Sequence, residues 1–91
     1  MAENTATSNK AAVTYYGADW CRDCRRSKAF LDGAGVSYVE HNVEASAELA
    51  AEAEGIAGRK NIPVIVFDDG EFLVEPSDAD LEAALAARSL L

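Results

Sequence analysis

Cys21 and Cys24 are the only cysteines among the 91 residues, and they enclose just Arg22 and Asp23. Two intervening residues let both sulfurs meet across one helical turn, an arrangement suited to thiol–disulfide exchange. In that chemistry a thiolate attacks one sulfur of a disulfide, and a neighbouring thiol then displaces the adduct by closing an internal disulfide. Cys21, at the exposed N-terminus of the helix, is expected to attack, and Cys24 to resolve. Helix N-terminal amides and the cations Arg22, Arg25, Arg26 and Lys28 would favour the Cys21 thiolate, whereas Asp19 and Asp23 oppose it. Two cysteines this close are too few for a secreted disulfide scaffold, and the loop they close is too short to add much chain-entropy stability.

Charge points to the same place. Residues 19–28 together with Arg59 and Lys60 hold six basic and two acidic groups, which leaves two basic and fourteen acidic groups in the rest of the chain. An acidic molecule of net charge −8 thus carries one cationic spot, and the spot contains both cysteines. That balance opposes nucleic-acid binding, which needs a cationic surface. The longest apolar run, Ile62 to Phe67, is six residues, far below the ~20 that span a bilayer, so no membrane association is expected. The polar stretch Met1 to Lys10 has no secretory pattern, and a cytoplasmic location is expected. His41 is the one histidine, remote in sequence from the cysteines, and reads as structural or solvated. Two cysteines and one histidine leave a four-coordinate metal site incomplete, so no bound metal or tightly held cofactor is expected within one chain.

The elements that must position the cysteines follow from periodicity and punctuation. Length and 49% apolar content suit one globular domain, expected over residues 12–91, behind a flexible tail over 1–11. Val13 to Tyr16, closed by Gly17, reads as a buried strand. Cys21 to Ala34 lacks proline and places Cys24, Ser27, Leu31 and Ala34 on one side, so a helix is expected up to Gly33–Gly35. Val36 to Val43 reads as a second strand. Ser46 caps a second helix, Ala47 to Ala57, with Leu49, Ala53, Ile56 and Ala57 inward and Glu44, Glu48, Glu52 and Glu54 solvated. Ile62 to Phe67 reads as a strand buried on both faces, and Asp68-Asp69-Gly70 turns it into a hairpin with Glu71 to Val74. Ser77 to Asp80 fits a capping box for a last helix that buries Leu81, Ala84 and Leu85 and leaves Arg88 outside. The order βαβαββα implies an α/β fold with a central mixed sheet of four strands.

A strand from Val13 to Tyr16, Trp20-Cys21-Arg22-Asp23-Cys24 opening a helix, and Asn61-Ile62-Pro63 opening a later strand together resemble the glutaredoxin family of the thioredoxin-like superfamily. The resemblance extends over about Val13 to Leu85 and is most similar to the mycoredoxins, which use mycothiol in place of glutathione. It implies a single thioredoxin-like domain and an enzyme that reduces mixed disulfides between proteins and a low-molecular-weight thiol. Cys21 and Cys24 would be catalytic, and mycothiol or glutathione the reducing cosubstrate. It also implies that Pro63 is cis and faces the cysteines, and that the backbone of Ile62 pairs with an extended substrate. Arg59 and Lys60 would meet a carboxylate or sugar hydroxyls of the small thiol. Trp20, Arg22, Ser77 and Asp78 complete the implied substrate-binding set, while Tyr16 is equally compatible with core or interface.

Three departures point away from glutathione. Ala18 stands where many glutaredoxins carry a lysine, Glu75-Pro76 replaces a Gly-Gly pair before the last helix, and Arg22-Asp23 replaces the common Pro-Tyr or Gly-Tyr between the cysteines. Two rival functions remain open: a dithiol electron donor served by a flavin-dependent reductase of the thioredoxin-reductase kind, and a family member holding a 2Fe-2S cluster between two subunits. The first reading expects a monomer.

Overall fold

The computed structural model describes residues 11–91, so the expected tail lies outside the described residues except for Ala11. The chain runs β1 (Val13–Gly17), α1 (Arg22–Gly33), β2 (Tyr38–Asn42), α2 (Ala47–Ala57), β3 (Val64–Phe67), β4 (Phe72–Val74) and α3 (Asp78–Ala87). The four strands form one mixed sheet in the order β2-β1-β3-β4. β1 lies parallel to β2, with Val13 opposite Tyr38, and antiparallel to β3, with Val13 opposite Phe67; β4 pairs antiparallel to β3.

Side chains alternate across the strands, and the alternation sorts the core into two layers. Val13 and Tyr15 of β1 and Ile65 and Phe67 of β3 face Leu31, Leu81 and Leu85 of α1 and α3, and both cysteines belong to that cluster. Tyr16 and Val64 face the other way, against Ala53 of α2, with Leu49 and Ile56 packed around them. Tyr16 is therefore core, and its hydroxyl donates to Glu52 Oε1 at 2.7 Å. Glu52 is exposed on α2, as expected, and also accepts a bond from the core beneath it.

Local chemistry sets the helix limits. Ser46 Oγ accepts from the Leu49 N–H at 3.2 Å, and Gly58 ends α2 at φ 78°, a conformation suited to glycine. Ser77 Oγ accepts from the Asp80 N–H at 3.0 Å. Ala34 is the exposed C-cap of α1, within the expected end of the helix. Three expectations need correcting. The second strand begins at Tyr38, because Val36 turns back so that its N–H bonds the Leu31 carbonyl. The third strand begins at Val64, since Pro63 has no N–H to give to a ladder. Arg88 is not left outside: its guanidinium lies 4.0 Å from the Phe67 ring centroid, and its Nε donates to Asp69 Oδ2 at 3.0 Å, clamping α3 to the hairpin.

Candidate functional site

β1 ends at Gly17, and the chain then crosses the end of the sheet to start α1. Cys21 is the N-cap of α1: its backbone is extended and its sulfur accepts the Cys24 N–H at 3.2 Å. The Cys21 N–H bonds the Ala18 carbonyl at 3.2 Å, which ties the loop into the cap. Cys21 is only 8% exposed, less open than a bare helix terminus, and its thiol donates to the Ile62 carbonyl at 3.9 Å. Cys24, one turn deeper, has no exposed surface. Burial, reinforced by the hydrogen bond with Cys21, pushes the Cys24 thiol up to about 12; the Ala18 N–H and the Tyr15 hydroxyl act in the opposite sense. Both cysteines are free thiols. The Ile62–Pro63 peptide is cis.

Beside the cysteines runs an open groove of about 410 Å³, a size that suits a small ligand. Trp20 stands at its edge, 67% exposed, with Arg59, Lys60, Asn61 and Ile62 along one side. Its floor and far side come from Ala47, Ala50, Ala51 and Ala53, with the carboxylates of Glu44 and Glu54. The groove thus carries two cations, two acids and an apolar stretch of alanines.

Of the residues singled out in sequence, Cys21, Cys24, Ile62 and Pro63 converge, and Trp20, Arg59 and Lys60 line the adjoining groove. Arg22 is exposed on the first turn of α1 and does not line it. Ser77 and Asp78 head α3 away from the groove, and Asp78 Oδ1 is taken by Arg26 at 3.1 Å. The helix cations are not gathered around the sulfur: Arg25 donates to the Asp19 carbonyl at 2.8 Å, Arg26 pairs with Asp23 and Asp78, and Lys28 binds Glu40 at 2.9 Å. Sequence reading passed over Asn61, whose side chain donates to Glu75 Oε1 at 3.2 Å and joins the loop before Pro63 to the loop before α3. It also passed over the alanines of α2 as a groove floor; their unusual density along one helix was the available signal.

The glutaredoxin family profile matches residues 13–73, the span that contains both cysteines, the loop to α2 and the cis proline. A Mycobacterium tuberculosis protein named for the glutaredoxins is 35% identical over 79 residues, covering 82% of this chain and 90% of the relative. The chain belongs to the glutaredoxin family. Solved glutaredoxins share its fold. The crystal structure of glutaredoxin from Archaeoglobus fulgidus superposes with a TM-score of 0.74 at 23% identity, over 90% of this chain and 94% of that one. The solution structure of the Brucella melitensis glutaredoxin gives 0.62 at 29% identity, over 86% and 80% of the two chains. As a glutaredoxin, the protein is a thiol–disulfide oxidoreductase that works with a glutathione-like thiol as cosubstrate. Among the described residues, no helix is long and apolar enough to cross a membrane.

Proposed function

We propose that this glutaredoxin reduces mixed disulfides between proteins and mycothiol, with Cys21 as nucleophile and Cys24 as resolving thiol. The observation that carries the chemistry is the Cys21 sulfur held at the head of α1 by the Cys24 N–H, beside a groove. A helix N-terminus favours an attacking anionic sulfur, and the groove takes the rest of the small thiol. Cys21 attacks the small-thiol sulfur of the mixed disulfide and releases the reduced protein; a second small thiol, or Cys24, then clears the adduct. The substrate backbone pairs with Ile62, and Trp20 packs on the substrate. The unit that does this is residues 12–91, acting as a cytoplasmic monomer.

Four features support mycothiol over glutathione. Glutathione ends in two carboxylates, whereas the tail of mycothiol is an uncharged pseudodisaccharide. Ala18 is buried and offers no cation, the carboxylate of Asp78 is held by Arg26, and Pro76 fills the place of the glycines before α3. Glu44 and Glu54 offset Arg59 and Lys60 along the groove, which leaves it no net positive charge to hold two carboxylates, while hydroxyls find donors in Arg59, Lys60 and Asn61 and acceptors in the two glutamates. The test compares the steady-state rate of removing mycothiol and glutathione from the same singly modified protein, each thiol supplied with its own reductase. A strong preference for mycothiol is expected. Equal rates, or a preference for glutathione, would return the protein to the glutathione users.

A further inference from the structure

Tyr15 is a buried phenol with no part in the cycle above. It rises from β1 beneath the first turn of α1, 3% exposed, and its hydroxyl donates to the Cys24 carbonyl at 3.2 Å. Its ring is fixed from two sides. Tyr38 meets it edge-on with centroids 6.0 Å apart, and Gly17, two residues along the same strand face, leaves the space that it fills. A Cβ at Gly17 would run into the Tyr15 hydroxyl. That bond holds the hydroxyl at the residue that carries the resolving sulfur, and its nearness, with that of the Ala18 N–H, works against the upward push of burial on the Cys24 thiol.

The surroundings keep the Tyr15 phenol protonated and able to donate. Burial, with Cys24, Glu40 and Cys21 nearby, raises its own pKa, so the phenol stays protonated through neutral pH. Glu40, opposite Tyr15 in the β1–β2 register, is paired with Lys28, and the Tyr38 hydroxyl is given to Asp32 at 2.7 Å. Neither is free to replace the phenol at Cys24. Ser27, one turn further along α1, is also buried, and its Oγ has no partner. Cys24 is thus fully buried, and the side-chain hydroxyl bonded to it is that of Tyr15.

We propose that Tyr15 is a positioning residue for the resolving step: its hydroxyl turns from the Cys24 carbonyl to the Cys24 sulfur as that sulfur gives up its proton and attacks. The inference rests on the reading of Cys24 as the resolving thiol. In that step the Cys24 S–H bond breaks, and the freed electron pair forms the bond to the Cys21 sulfur. The bond from Cys21 to the small thiol breaks, and its pair leaves on the small-thiol sulfur, which takes up the proton. The cysteine pair is oxidised and the small thiol reduced, with no further reductant required.

The test uses dithiobis(nitrobenzoate) as the disulfide, because each thionitrobenzoate released is coloured. The reduced protein releases one equivalent when Cys21 attacks and a second when Cys24 closes the internal disulfide, so the two steps are read in one trace. Tyr15→Phe keeps the ring and removes the donor. Loss of one hydrogen bond to an anion raises the thiol by about one pH unit or more, making the thiolate about tenfold scarcer but a better nucleophile. The second release, relative to the first, is therefore expected to slow roughly fourfold near neutral pH, with its pH profile moved upward by about one unit. An unchanged second release overturns the inference, as does equal slowing of both releases with no shift in profile, which marks a packing role. Wild-type protein that gives no second release overturns the resolving role of Cys24 and the inference with it.

Discussion

One helical turn separates two sulfurs with different surroundings. Cys21 meets the carbonyl of Ile62, a residue that lines the groove, while Cys24 is wholly enclosed and its thiol is pushed up to about 12. At neutral pH Cys24 is thus a poor nucleophile, and an external thiol that reaches the Cys21 adduct competes well with closure. Cys24→Ser is accordingly expected to keep turnover of the mixed disulfide within roughly tenfold of wild type, while abolishing the internal disulfide. The check is steady-state reduction with small thiol supplied; a collapse of about a thousandfold would favour the dithiol electron donor instead. The identity of the two cysteines was legible because spacing alone confines them to one helical turn. Their order of action was legible too, since the first cysteine heads the helix; the full burial of Cys24 was not, because it depends on the core that β1, β3 and α3 pack around it.

At the scale of elements, what is local was legible. Ser46 and Ser77 cap the helices they precede, each through an N–H three residues on, so a short stretch of sequence determines the outcome. The bonds that join loops distant in sequence had no such signal. Asn61 to Glu75 and Arg26 to Asp78 form only after β3 and α3 have packed, and the second of these drew away a cation that the sequence had seemed to aim at Cys21. The strand β1 carries a similar hidden dependence. Gly17 reads in sequence as the end of a strand, yet its lack of a side chain makes room for the Tyr15 phenol. Gly17→Ala is expected to destabilise the protein by ~1–3 kcal/mol, the usual cost of forcing extra carbon into a packed site. Tyr15→Phe in the Gly17→Ala background should recover only part of that loss, because the hydroxyl is gone but the ring carbon that carried it still meets the new Cβ. Urea unfolding of the single and double variants measures it, and additive effects would show that the two residues do not share the space.

For the whole molecule, the sequence divides into a cationic spot and an acidic remainder, but folding narrows the contrast. Arg26 and Lys28 are neutralised by Asp78 and Glu40, which come from α3 and β2, leaving Arg59 and Lys60 as the cations that line the groove. The buried protons are a more consequential property of the folded state. Folding raises Cys24 from 9.0 to about 12 and Tyr16 from 10.0 to about 12, chiefly by burial, and it raises Tyr15 and Tyr38 in the same direction. Below the unfolded values, both states hold these protons and stability does not depend on them. Above pH 9 the unfolded chain releases the Cys24 proton while the folded chain retains it, so stability must fall with rising pH toward the folded value of about 12. The tyrosines add the same slope from about pH 10 onward. Cysteine and tyrosine contributions therefore separate between pH 9 and 10, where Cys24 acts first. Under reducing conditions the melting temperature of the wild type is expected to drop across that interval by roughly 5 °C more than that of Cys24→Ser, which has no thiol to titrate there. Parallel melting curves for the two proteins would mean that Cys24 ionises in the folded chain as readily as in the unfolded one, and that the pocket around it is open to water.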